Sequence, residues 1–163
     1  MSVDEIISSI KPYGCRLIEL TGGEPMMQMD ESNMLMNELL DNGYKVLLET
    51  NGSFSLESID KRVVKVMDLK CPDSGMMDHI RWENIEYLTE NDQVKFVLSS
   101  RKDYEWAKHT KDCVPIGIEV LFSVAFGMLS PAEVVSWILM DRLEVRFQLQ
   151  LHKYIWHPDA RQV

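Results

Sequence analysis

Short apolar runs rich in β-branched residues recur along the chain at 16–20, 44–49, 63–69, 93–98, 116–122 and 145–151, with helix-forming stretches between most of them. Runs of this kind read as strands buried on both faces, so the alternation predicts one mostly parallel α/β sheet. Helices are expected at Val3–Ile10, from Pro25 to about Asn42, at 104–110 and at 131–142, with a weaker helical pattern at 82–88. Gly43 is placed to close the second helix in left-handed geometry, and Ser130 to cap the fourth. No repeat, linker or low-complexity tract divides the 163 residues, so one domain over 1–163 is expected. Pattern alone leaves an open sheet and part of a (β/α) barrel equally available.

Charge narrows the function classes. The balance of 17 basic and 26 acidic residues gives −9, which repels polyphosphate and speaks against nucleic acid as a partner. No apolar run approaches the roughly 20 residues that cross a bilayer, so no membrane role is expected. The first residues lack the basic start of a secretion signal, so a cytoplasmic location is expected. Cys15, Cys71 and Cys113 are odd in number and far apart, which suggests neither a disulfide framework nor a local metal knuckle. They read as small buried or half-buried thiols, and the methionines between 26 and 36 as core filler. The charges at Asp30-Glu31 and Arg101-Lys102-Asp103 read as solvated helix faces. Neither a G-x-S-x-G elbow nor a Walker phosphate loop occurs.

Ligands of parallel α/β sheets bind at the C-terminal ends of the strands, and there the polar residues collect. The first strand runs into Thr21-Gly22-Gly23-Glu24-Pro25, the second into Glu49-Thr50-Asn51-Gly52-Ser53, and the third into Asp68-Leu69-Lys70-Cys71-Pro72. Lys95 lies in the fourth, Glu119 and Ser123 in or just after the fifth, and His152-Lys153 follow the sixth. Paired glycines let a ligand reach bare main-chain groups, and Glu24 can accept from a ligand ammonium; equally, the glycines make a tight turn and Glu24 complements a helix dipole. A carboxylate ending an apolar run is costly unless paired, which makes Lys70 or Lys95 the expected partner of Glu49. His152 reads equally as a core histidine or a ligand.

Taken in order, these strand ends, with Asp92-Gln93-Val94-Lys95-Phe96-Val97 and the tail Gln150-Leu151-His152-Lys153-Tyr154-Ile155-Trp156, resemble the 7-carboxy-7-deazaguanine synthase family of radical S-adenosylmethionine enzymes. The resemblance implies a partial (β/α) barrel of the radical SAM type. It also implies binding of S-adenosylmethionine, a 4Fe-4S cluster and magnesium, and ring contraction of the small-molecule substrate 6-carboxy-5,6,7,8-tetrahydropterin on the way to queuosine and related deazapurines. Carried over by motif, Gly22, Gly23, Glu24, Asp68, Leu69 and Lys70 would meet S-adenosylmethionine. Thr21, His152 and the tail up to Val163 would meet the pterin.

The family's cluster loop, a CxxxCxxC after the first barrel strand, has no counterpart here. The 20 residues before Thr21 contain one cysteine, Cys15. The first strand, the cluster loop, the N-terminal substrate segment and the magnesium-placing threonine are therefore expected to be missing. Such a chain would be inactive in isolation, or would serve as a non-catalytic binding or assembly protein on the same scaffold. An uncovered sheet edge would favour self-association or a partner supplying the segment.

Overall fold

In the computed structural model, which describes residues 1–158 and 160, six strands form one parallel sheet ordered as they occur in the chain. They are β1 (Leu17–Leu20), β2 (Lys45–Thr50), β3 (Val64–Asp68), β4 (Gln93–Leu98), β5 (Glu119–Val124) and β6 (Arg146–Gln148). Sequential parallel order is that of a (β/α) barrel, but β1 and β6 are not paired, so the sheet is open. Five α-helices accompany it: α1 (Val3–Ile10), α2 (Met29–Asp41), α3 (Arg101–Thr110), α4 (Pro131–Asp141) and α5 (His152–Ile155).

Local chemistry sets the helix ends. Ser2 and Glu5 form a reciprocal capping box that starts α1. At the end of α2, Gly43 takes φ 79° and donates to the Leu40 carbonyl, while the Tyr44 N–H reaches Leu39, closing a Schellman motif. Pro25 opens a 3-10 turn over Pro25–Gln28, and the α-helix starts only at Met29. The 82–88 pattern is likewise a 3-10 segment, Trp82–Tyr87. The fifth strand starts at Glu119 because Pro115 to Ile118 form a turn with Gly117 at φ 100°. Ser130 stands at the N-cap of α4 without a side-chain bond, and Pro131 alone fixes that first turn.

The two faces of the sheet differ. Val46, Leu48, Met67, Val94, Phe96, Leu98, Phe122 and Val124 share one face, and all are buried with the helices. Phe96 contacts Phe122 and Trp106 edge-on at 5.6 and 5.9 Å, and Tyr104 contacts Phe122 and Trp137, joining α3 and α4 to β4 and β5. Each such pair adds about 0.5–1.5 kcal/mol beyond the area it buries. The other face carries Glu19, Glu49, Asp68, Gln93, Lys95, Glu119, Ser123, Arg146 and Gln148, most of them half-buried or exposed. The strands are therefore covered by helices on one face and not, as their composition suggests, on both.

Several charged side chains lie in the interior. Lys65 of β3 lies among the core residues, wholly buried and 2.9 Å from the equally buried Asp92. Asp103 is also fully buried rather than part of a solvated run. It accepts from the Ser99 N–H and hydroxyl and from the Asp73 N–H, joining the β4–α3 turn to the segment after β3. Of the methionines in the second helical segment, Met26 and Met36 are core, whereas Met27 and Met34 are exposed.

Candidate functional site

At the end of β1 the chain turns through Gly22 (φ 88°) and Gly23 (φ 58°). A Cβ built on either would meet nothing within 4 Å, so backbone geometry requires glycine here and the space beside the turn is open. Glu24 then folds inward and is 9% exposed. Its Oε1 accepts from the Met26 N–H at 3.1 Å and the Thr50 hydroxyl at 2.8 Å, and its Oε2 accepts from the Asn51 N–H at 2.6 Å. The carboxylate thus clamps the β1 turn to the end of β2 and uses most of its acceptor capacity on the protein.

Two clefts adjoin the turn. One, of about 660 Å³, lies between this turn, α1 and α2, and is lined by Thr21, Gly22, Glu24 and Ser32 together with Met34 and Leu35. The other, of about 540 Å³, lies over the polar sheet face and is lined by Glu19, Thr21, Glu49, Lys95, Ser123 and His152 among others. Thr21 lines both. On the floor of the second cleft, Lys95 pairs with Glu49 Oε1 at 2.8 Å, and the Thr21 hydroxyl donates to Oε2 at 3.2 Å. Of the two lysines open to it on sequence grounds, Glu49 pairs with Lys95. Burial and the neighbouring Glu49 carboxylate raise the Glu19 pKa above its usual 4.5, partly offset by Lys95.

At the end of β3, Lys70 pairs instead with Asp68 Oδ2 at 2.6 Å. Asp68 Oδ1 is buried with no partner, an uncommon state for a carboxylate oxygen. Leu69 is fully buried, so a ligand can reach it only through main-chain atoms, and its N–H is already bonded to the Lys95 carbonyl. Next to this edge, Asn84 pins the loop after β2 by bonding the Leu56 N–H and the Gly52 and Phe54 carbonyls. His152 opens the short α5 and is exposed in the cleft rather than held in the core. Val163 lies outside the described residues.

The sequence as a whole is similar to that of a known group of enzymes. The chain is 40% identical over 184 residues to the 7-carboxy-7-deazaguanine synthase of Koribacter versatilis, covering 100% of this chain and 79% of that protein. It is 40% identical over 170 residues to the enzyme of the same name from Chlorobaculum tepidum, covering 100% and 76%. The chain belongs to the 7-carboxy-7-deazaguanine synthase family. No protein-family model matches it. Among solved structures it is similar in fold to QueE from Escherichia coli, with a TM-score of 0.71 and 15% identity, over 92% of this chain and 64% of that one. It is also similar to Streptococcus suis SuiB, with a TM-score of 0.60 and 14% identity, over 100% of this chain and 48% of that one.

A synthase of this family needs thiolates to hold an iron–sulfur cluster, and the cysteines present do not fit that task. Cys15 is exposed before β1, Cys113 is exposed after α3, and Cys71 is buried after β3. Burial, then the Asp103 and Asp68 carboxylates, push the Cys71 thiol far above its ordinary range, which disfavours the thiolate. Among the described residues, no group of three His, Cys, Asp or Glu side chains could hold a metal ion. No described helix is long and apolar enough to cross a membrane.

Glu19 is a polar cleft residue that the strand-end motifs do not include. It lies inside the first strand run rather than at its end, and only the alternation of Leu17, Ile18, Glu19 and Leu20 placed it on the polar face.

Proposed function

We propose that these residues form the ligand-binding rim of a 7-carboxy-7-deazaguanine synthase. In this reading S-adenosylmethionine lies along Gly22, Gly23, Glu24 and the Asp68-Leu69-Lys70 strand end. The substrate 6-carboxy-5,6,7,8-tetrahydropterin occupies the cleft over the polar sheet face, and Thr21 stands between the two. The observation that carries this reading is the convergence of Thr21, Glu49, Lys95, Ser123 and His152 on one cleft at the strand ends of a family member. Asp68 Oδ1 adds support, because a hydroxyl or ammonium of a bound ligand would satisfy a buried acceptor whose bareness costs about 1–3 kcal/mol.

Each group has a definite task. Open φ > 0 glycines expose main-chain donors and acceptors to the ligand, and Glu24 acts chiefly by holding them in place. The Glu49–Lys95 pair presents fixed, mutually compensated charge beside the pterin, and His152 flanks it from α5. Such positioning supplies orientation and excludes water, while the cofactor carries the radical chemistry. The three dispersed cysteines do not hold a cluster, so these 163 residues bind ligands without cleaving S-adenosylmethionine.

Titration calorimetry with S-adenosylmethionine tests the first part: saturable binding weakened by Asp68→Asn is expected, and absence of heat overturns it. Anaerobic iron–sulfur reconstitution with dithionite tests the second: release of 5′-deoxyadenosine by this chain alone would overturn the binding-only assignment.

A further inference from the structure

Within the cleft over the polar face, the charged groups are unequally occupied. Both oxygens of Glu49 are engaged, one by Lys95 and one by Thr21. Glu19, on the adjacent strand β1 and lining the same cleft, accepts no hydrogen bond from any described residue. Its carboxylate is an acceptor on two oxygens and a donor on none when ionised. Glu49 and Lys95 compensate each other, so Glu19 carries the unmatched charge of the cleft floor. Burial first and the neighbouring Glu49 carboxylate second raise its pKa, with Lys95 opposing them.

A carboxylate in this condition is complementary to two parallel N–H donors on the edge of a flat ring. The 2-amino-4-oxo ring of a pterin presents such an edge, its 2-amino group beside the ring N3–H. A ring with a carbonyl at position 2 presents an acceptor there and would be repelled. We propose that Glu19 reads the amino–imino edge of the pterin and sets the preference of this cleft for 2-amino-4-oxo rings. This rests on placing the pterin in this cleft, as above. Thr21 and the Glu49–Lys95 pair act as positioning groups that keep Glu19 free of protein donors.

Fluorescence titration of the 163-residue chain with pterin-6-carboxylate and its 2,4-dioxo analogue, lumazine-6-carboxylate, tests the assignment. The unsubstituted chain is expected to bind the pterin at least about tenfold more tightly, the scale of one charge-assisted bond set against a repulsive pair. Glu19→Gln, which can turn an amide N–H toward a ring carbonyl, is expected to abolish or invert that preference while leaving S-adenosylmethionine affinity unchanged. Equal affinity of the unsubstituted chain for the two rings, or a preference that survives Glu19→Gln, overturns the role of Glu19. Binding of S-adenosylmethionine with no binding of either pteridine overturns the placement of the pterin itself. Where the variant fails to fold, equal affinity of the unsubstituted chain for the two rings still overturns the assignment.

Discussion

Replacing Glu24 by Gln separates its two possible roles, as a clamp within the protein and as a ligand acceptor. The amide keeps one oxygen, which can go on accepting from the Met26 N–H and the Thr50 hydroxyl. Its other end is an NH₂ group set against the Asn51 N–H, which now sits 2.6 Å from a carboxylate oxygen. One charge-assisted bond is lost and two donors oppose each other in a site 9% exposed. Bonds to charged groups contribute about 1.5–3 kcal/mol, so a loss of about 2–3 kcal/mol is expected. For a chain of this size each kcal/mol moves the melting temperature by about 2–4 °C, giving a drop of about 4–12 °C by circular dichroism or calorimetry. S-adenosylmethionine should also bind more weakly, because Gly22 and Gly23 are no longer held against β2. A melting temperature unchanged within a degree would refute the clamp, and with it the account of how the turn is positioned.

Three further outcomes follow from the packing. Lys65→Met leaves Asp92 charged in a site where both side chains are almost wholly buried, and should cost about 3–5 kcal/mol in a denaturant titration; a cost below 1 kcal/mol would show that the pair contributes little. Arg142 ends α4 in the left-handed region at φ 52° and ψ 43°, so Arg142→Gly should stabilise the fold by about 1 kcal/mol, read as a higher denaturation midpoint. With iodoacetamide at pH 8, Cys15 and Cys113 should alkylate by mass spectrometry well before Cys71, whose thiol is buried and held protonated by burial and nearby carboxylates; equal rates at all three would contradict the packing around β3.

Much of the architecture was legible because strand runs and helix ends carry local signals. Gly43 closes α2 as its position suggests, and the 93–98 run is β4 to the residue. Lys65 was not legible. A lysine inside an apolar run reads as a solvent-facing interruption, and its partner Asp92 lies 27 residues away at the entrance to the next strand. No periodicity reports an ion pair of that kind. Asp103 did carry a signal, since Ser100 followed three residues later by an acid marks a helix start, and the Asp103 N–H does bond the Ser100 hydroxyl. Reading Arg101-Lys102-Asp103 as one charged run concealed it.

The deeper misreading concerned the faces of the sheet, and correcting it bears on function. Gln93-Val94-Lys95-Phe96-Val97-Leu98 alternates strictly between half-buried and buried positions, the signature of a sheet with one open face. In the register of the sheet, Asp68 stands opposite Lys95 and Val97 opposite Ser123, while Ser123 stands opposite Gln148. Every one of these lies on the polar face, away from the apolar core. Polar residues at alternate strand positions are therefore neither interruptions of a core nor isolated rim groups. They are the floor of a cleft, and Glu19, in the middle of β1, belongs to it by phase alone.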